Sequence, residues 1–224
     1  MIRIFIGYDP REAVAFNVLS HSIHARASEP VEVAPLMLSQ LKSIFKREAH
    51  PLQSTEFSFS RFLVPHLSQY TGWSLFCDCD MLMLDDIANL WKLRDDNFAV
   101  QVVKHEHKPE ETKKFLDKPQ SRYEKKNWSS VILFNNAKCT ALTPEYVNTA
   151  SGLELHQFKW LGDDSFIGEL PHRWNHLVDY DPTLAPEHVS LIHFTEGGPY
   201  FDDYKTCSYA DLWFAEREHM LFAG

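Results

Sequence analysis

Residues 75–82 read LFCDCDML: an apolar run, two aspartates one residue apart, and a return to apolar side chains. A bare Asp-x-Asp carries little weight, because 15 aspartates in 224 residues give roughly one such pair by chance. Its position gives it meaning. Trp73–Cys79 has the character of a buried strand, along which side chains alternate with period two. Cys77, Cys79 and Met81 then share one side, and Asp78 and Asp80 the other. Two carboxylates aimed together from a buried strand end repel, and a divalent cation such as Mn2+ or Mg2+ suits oxygen ligands and offsets that repulsion. Ligands of open α/β sheets also sit beyond the carboxyl ends of strands. The alternative is two solvated turn residues. The other pair, Asp179-Tyr180-Asp181, precedes Pro182 with no apolar strand leading into it, and is expected to be a turn.

Elements alternate on either side of this stretch. Ile2–Ile6 is a β-branched run closed by Gly7, and Pro10-Arg11-Glu12-Ala13 opens a helix that buries Val14, Phe16, Val18, Leu19 and Ile23. Val31–Leu36 reads as a second strand. Ser58–Tyr70 reads as a helix that Pro65 either kinks or starts. Asp85-Asp86 can cap a helix carrying Ile87, Leu90 and Trp91. Phe98–Val103, Val131–Phe134 and Leu191–Phe194 are further strands, and Pro109–Lys126 is a charge-rich loop or surface helix. Tyr209–Phe222, within a C-terminal stretch 205–224, can form a final helix. The expectation is α/β, with a mixed, mainly parallel sheet flanked by helices and one domain over 1–224.

A formal net charge of −9 argues against a nucleic-acid binder, which needs a basic face for phosphates. It leaves room for a nucleotide ligand whose phosphates meet a bound cation. No apolar run reaches the ~18–20 residues of a membrane span, and MIRIFIGYD enters a strand without a signal-peptide layout. Cys77, Cys79, Cys139 and Cys207 show neither disulfide nor zinc-knuckle spacing, so buried free thiols and a cytoplasmic setting are expected.

Two known arrangements place Asp-x-Asp at such a strand end. Haloacid-dehalogenase-type phosphatases want a Thr two residues beyond the second Asp, where this chain has Leu82, although Gly162-Asp163-Asp164 imitates their last acidic motif. The other is the GT-A glycosyltransferase. WSLFCDCDMLMLDDIANLW (73–91) resembles the D-x-D segment of glycosyltransferase family 8, and FSFSRFLVPHL (57–67) is similar to that family's preceding helix. NWSSVILFNN (127–136), DDSFIGELPHRWN (163–175) and SLIHFTEGGPY (190–200) resemble later family segments, in the family's order.

The resemblance implies a metal-dependent transferase that moves a sugar from a nucleoside-diphosphate sugar to a glycan or glycoconjugate acceptor. Asp78, Asp80 and His193 would hold Mn2+ or Mg2+, the imidazole favouring Mn2+. Asp78 would also contact the donor, together with Gly7, Tyr8, Asp9, Arg61, Trp128, Ser129 and Gly197. Asp163 and Asp164 would serve the acceptor or catalytic side. The chain departs from the family where Gly197-Gly198-Pro199-Tyr200 replaces G-x-x-K-P-W: the lysine is missing, and Lys104, Lys108 or Lys205 would have to replace it. That departure keeps a non-catalytic sugar-nucleotide or glycan-binding module as an alternative beside the phosphatase.

Two histidine clusters stand apart. His105-Glu106-His107 fits a polar loop better than a zinc site. His172-x-x-x-His176 has helical metal spacing but lacks the glutamate of H-E-x-x-H. G-x-S-x-G, G-x-x-x-x-G-K and G-x-G-x-x-G are all absent, which removes the anchors of serine hydrolases, P-loop proteins and dinucleotide binders. Oligomeric state is not encoded in any of these features.

Overall fold

A computed structural model describes residues 1–48, 55–106 and 125–222. The strands are β1 (Ile2–Gly7), β2 (Val31–Leu36), β3 (Trp73–Cys77), β4 (Met81–Met83), β5 (Val100–Val102), β6 (Val131–Asn135), β7 (Ile167–Glu169), β8 (His176–Leu177) and β9 (Leu191–His193). The α-helices are α1 (Ala13–Arg26), α2 (Val64–Leu67), α3 (Ile87–Trp91), α4 (Pro144–Thr149), α5 (Gly152–His156) and α6 (Ala210–Phe222). Six strands form the central sheet in the order β2-β1-β3-β6-β5-β7, in which β6 alone runs against its neighbours. A small second sheet, β4-β9-β8, lies beside it. The fold is α/β with a mixed, mostly parallel sheet, as expected.

Local chemistry explains most boundaries. The Asp9 carboxylate accepts from the Arg11 backbone N–H at the start of the turn that leads into α1, and Asp86 caps α3 through the Ala88 N–H. Within α1 the buried side chains are Ala15, Val18, Leu19, Ser22 and Ile23, whereas Val14, expected inside, is exposed. The Ser22 hydroxyl accepts from the Met83 N–H at 3.1 Å and ties α1 to β4.

Ser58–Tyr70 is not one continuous helix. A 3-10 turn over Ser60–Leu63 leads into the short α2. Pro65 is tolerated there because the first helical turn does not need its missing N–H. Gln69 and Tyr70 then take left-handed backbone angles and stop the helix. The C-terminal helix starts at Ala210 rather than 205 and buries Ala210, Trp213 and Glu216. Asp179-Tyr180-Asp181 does form a turn, and the four cysteines are free, with Cys77, Cys79 and Cys139 buried. Most of the loop expected at Pro109–Lys126, together with His107 and Lys108, lies outside the described residues.

The main apolar core fills the space around β1, β3, β6 and β5. A second cluster joins Val18 of α1, Leu82 of β4, Ile192 of β9 and Trp213 of α6. It locks the small sheet onto the main body, which matters because the small sheet carries one wall of the site.

Candidate metal and ligand site

β3 ends at Cys77, one residue short of the acidic pair. Asp78 and Asp80 therefore sit in the bend where the chain leaves the central sheet for the small one, not within the strand. One more backbone bond, Asp78 N–H to Ser130 C=O at 3.0 Å, extends the pairing with the β6 side and fixes the bend. Cys79 between the two aspartates is fully buried, so the alternation expected from the sequence persists through the bend.

Tertiary pairing supplies the third residue. β4 and β9 run antiparallel with Met81 opposite His193, and the Phe194 N–H donates to the Asp80 C=O at 2.8 Å. That register brings the imidazole beside the acidic pair: His193 Nε2 lies 3.4 Å from Asp80 Oδ1. Ligand atoms of Asp78, Asp80 and His193 all lie within 4.8 Å of one another.

The tautomer suits a metal ligand. Asn175, directly before β8, is fully buried, and its Oδ1 lies 2.9 Å from His193 Nδ1. A carboxamide oxygen only accepts, so Nδ1 carries a proton and Nε2 is the nitrogen that faces the carboxylates, the one open to a cation once its own proton leaves. Asn175 is oriented in turn by donating to Ser130 Oγ at 2.8 Å.

The charge balance is unfinished. Arg61 NH1 stands 2.8 Å from Asp78 Oδ1, but the approach is poorly directed. Both Asp78 Oδ1 and Asp80 Oδ1 are buried without a well-formed hydrogen bond, a state costing about 1–3 kcal/mol per group. Burial, opposed by Arg61 and reinforced by Asp80, holds the Asp78 carboxyl well above the usual range. For His193 burial works against protonation, but the Asp80 and Asp78 carboxylates prevail and its pKa is raised. Two hard oxygens and an imidazole nitrogen fit Mn2+, and Mg2+ less well because of the nitrogen.

These residues line a cavity of about 540 Å3, whose wall also includes Glu12, Arg61, Lys125, Asn127, Ser129, His156 and Gly197. Arg61 is buried and donates to the Ser129 C=O at 2.8 Å, so one guanidinium joins the acidic bend to the opposite wall. Ser129 Oγ meets His156 Nδ1 at 2.8 Å; burial, then Arg61 and Arg47, push His156 down to about 3, leaving it neutral. Gly197 has φ +151, and a Cβ there would stand 2.6 Å from the Tyr204 ring. Only glycine suits that place.

Other expected residues lie elsewhere. Gly7 is packed under Phe57, whose ring atoms would lie 2.4 Å from an added Cβ. The Asp9 carboxylate is occupied by Arg11 and the Glu56 N–H. Tyr8 borders a separate cavity of about 400 Å3 with Met37, Lys42 and Arg47. Trp128 donates from its indole to the His105 C=O and is not among the residues lining the main cavity. Asp163 and Asp164 are exposed and outside that lining as well. Asp163 caps its own turn through the Ser165 N–H, and Asp164 reaches the rim only by pairing with Lys125 Nζ at 2.5 Å.

Sequence reasoning missed Glu12 and Tyr200. The Tyr200 hydroxyl donates to Glu12 Oε2 at 2.7 Å, and burial, then Asp80, raise the Glu12 pKa. No motif marks Glu12. Asn175 closes a segment already singled out as LPHRWN, so its signal was present but carried no role.

Comparison with known proteins adds the lineage. Protein CDI of Arabidopsis thaliana is 50% identical over 226 residues, covering 96% of this chain and 86% of that protein. The chain belongs to the CDI family. No established family profile matches it. Solved structures resemble this CDI-family chain in fold at low identity. The bifunctional glycosyltransferase WbbM aligns with TM-score 0.68 and 15% identity over 96% of this chain and 49% of its own. GlyE of Streptococcus pneumoniae aligns with TM-score 0.62 and 13% identity over 97% and 61%. The galactosyltransferase LgtC, solved with donor and acceptor sugar analogs, aligns with TM-score 0.61 and 13% identity over 96% and 95%. This chain thus spans about half of WbbM but nearly all of LgtC. The shared architecture is that of GT-A glycosyltransferases. Among the described residues, no helix is long and apolar enough to cross a membrane.

Proposed function

We propose that this CDI-family chain is a metal-dependent glycosyltransferase that takes a sugar from a nucleoside-diphosphate sugar and passes it to an acceptor hydroxyl of a glycan or glycoconjugate. The observation that carries this reading is the convergence of two under-bonded buried carboxylate oxygens and an imidazole nitrogen of His193 on one cavity. Asp78, Asp80 and His193 would hold Mn2+, or Mg2+ with lower preference; the ion, when bound, would neutralise the donor diphosphate and stabilise it as a leaving group. Arg61 partly offsets the burial that raises the Asp78 carboxyl, and it fixes the bend against Ser129. Ser129 and Gly197 present backbone close to the donor, and Lys125 supplies rim charge in place of the missing family lysine. Asp164 acts on the rim only through Lys125, whereas Glu12 lines the cavity itself and is the closer acidic group for the acceptor side. Fixed charges and dipoles of this kind cost no reorganisation during reaction, which makes electrostatic stabilisation the largest expected catalytic contribution.

The phosphatase alternative needs the Asp163/Asp164 motif beside Asp78, and neither residue lines the cavity. The binding-module alternative draws support from Lys125, whose ammonium is already engaged by Asp164 and the Gln157 C=O. Release of nucleoside diphosphate from a panel of nucleotide sugars, with Mn2+ and without acceptor, tests turnover. Slow, Mn2+-dependent release from one donor is expected; binding without any release across the panel would favour the module.

A further inference from the structure

Two weak histidine motifs and the Asp179-Tyr180-Asp181 turn meet in space. His105 follows β5, His172 opens the 3-10 turn before β8, and Asp181 closes the turn after β8. Their ligand atoms lie within 4.8 Å of one another, so an ion among them sits at most about 2.8 Å from each, and shifts of well under 1 Å reach the ~2.0–2.2 Å of Zn–N and Zn–O bonds. The His105 and His172 rings stand edge to face, 5.0 Å apart. His172 Nε2 is 3.4 Å from Asp181 Oδ1, while Asp181 Oδ2 accepts from the Leu177 N–H at 2.6 Å. One carboxylate oxygen thus anchors the group and the other faces the imidazoles.

His105 gives the second, independent sign. Its Nε2 is buried and has no hydrogen-bond partner, although a ring nitrogen removed from water ordinarily finds one. We propose that His105, His172 and Asp181 form a second metal site, of the two-imidazole, one-carboxylate kind that takes Zn2+ or a similar transition ion, separate from the Asp78/Asp80/His193 site. A majority of nitrogen ligands disfavours Ca2+ and Mg2+ and favours a transition ion. The exposed side of His172 leaves a fourth position to water.

The site clips together three segments that are distant in the chain. The 3-10 turn His172–Asn175 carries one of its ligands at one end and Asn175, the residue that orients His193, at the other. An ion held by His172 therefore restrains the same turn that sets the His193 ring, and the second site is a positioning device for the first.

The test uses the full chain stripped of metal, carrying Asp80→Asn to silence the first site, and titrated with Zn2+ by calorimetry and with Co2+ by visible absorption. One equivalent of Zn2+ is expected to bind, with Co2+ giving the intense bands of a low-symmetry nitrogen- and oxygen-ligated site. Adding His172→Ala, at a half-exposed residue and with the fold checked by circular dichroism, is expected to weaken Zn2+ at least tenfold; His105→Gln should do the same. Absence of stoichiometric Zn2+ binding in the Asp80→Asn protein, or undiminished binding after His172→Ala, would overturn the proposal. Neither readout involves a sugar nucleotide, so failure here is distinct from failure of the transferase reading.

Discussion

His193 is held between Asn175 and Asp80: its Nδ1 lies 2.9 Å from Asn175 Oδ1 and its Nε2 3.4 Å from Asp80 Oδ1. Groups that orient a ligating imidazole tune metal affinity nearly as strongly as the ligands themselves. Asn175→Ala should weaken Mn2+ binding about 10–100-fold, as read by calorimetry on protein confirmed folded by circular dichroism. Unchanged affinity would mean that the imidazole does not ligate.

Arg61 is the counter-charge that makes Asp78 tolerable in the cavity wall. Removing one partner of a buried ion pair costs about 3–5 kcal/mol, because the other charge is left uncompensated. Arg61→Met should lose stability of that order in urea denaturation. Arg61→Met combined with Asp78→Asn should recover most of it, and simple additivity of the two losses would argue against direct coupling.

Glu216 anchors α6 to α1 through Arg26 NH2 at 2.7 Å and His21 Nδ1 at 2.6 Å. Burial raises its pKa, but the Arg26 and His21 bonds outweigh burial and the net shift is downward. A carboxylate whose folded pKa is depressed contributes stability above its unfolded value, near 4.5, and loses it as the pH falls through the folded value. Unfolding free energy should therefore drop on acidification below about pH 4.5, and Glu216→Gln should flatten that part of the profile. An unchanged acid limb would place the acid sensitivity elsewhere.

Gly7 touches the site only indirectly. An added Cβ meets the Phe57 ring at 2.4 Å, and the Phe57 carbonyl faces Arg61 Nε at 3.4 Å. Gly7→Ala should destabilise by about 1–3 kcal/mol, as overpacked cores do. Phe57→Leu in the same chain should relieve it, as thermal melting of the single and double variants will show.

Much of this was legible in the sequence because it depends on neighbours along the chain. β1 and β2 follow from β-branched runs, the α3 cap from Asp86, and the shared aim of Asp78 and Asp80 from alternation that survives the bend. Of the small sheet only β9 was legible, as the run Leu191–Phe194. β4 and β8 are two or three residues long and exist only because β9 pairs with both, a tertiary relation without a local pattern. His193 could be named only through the family resemblance for the same reason. Asp163 and Asp164 matched a motif, but in the fold the local backbone claims Asp163 and Lys125 claims Asp164. Tyr8 fell on the far side of the turn made by Asp9 and Arg11, against a different cavity. The meeting of His105, His172 and Asp181 combines fragments of three separate motifs, each of which read as bland alone.

The central claim is that Asp78, Asp80 and His193 bind a divalent ion together with a nucleoside diphosphate. Thermal melting with UDP, GDP, ADP and CDP, with and without Mn2+, tests it most directly, since a ligand that binds only the folded chain at a hundredfold excess over Kd adds about 2.7 kcal/mol. At least one diphosphate should raise Tm only when Mn2+ is present, and Asp80→Asn should abolish that increment. No Mn2+-dependent rise with any of the four, or a rise that persists in Asp80→Asn, would contradict the account.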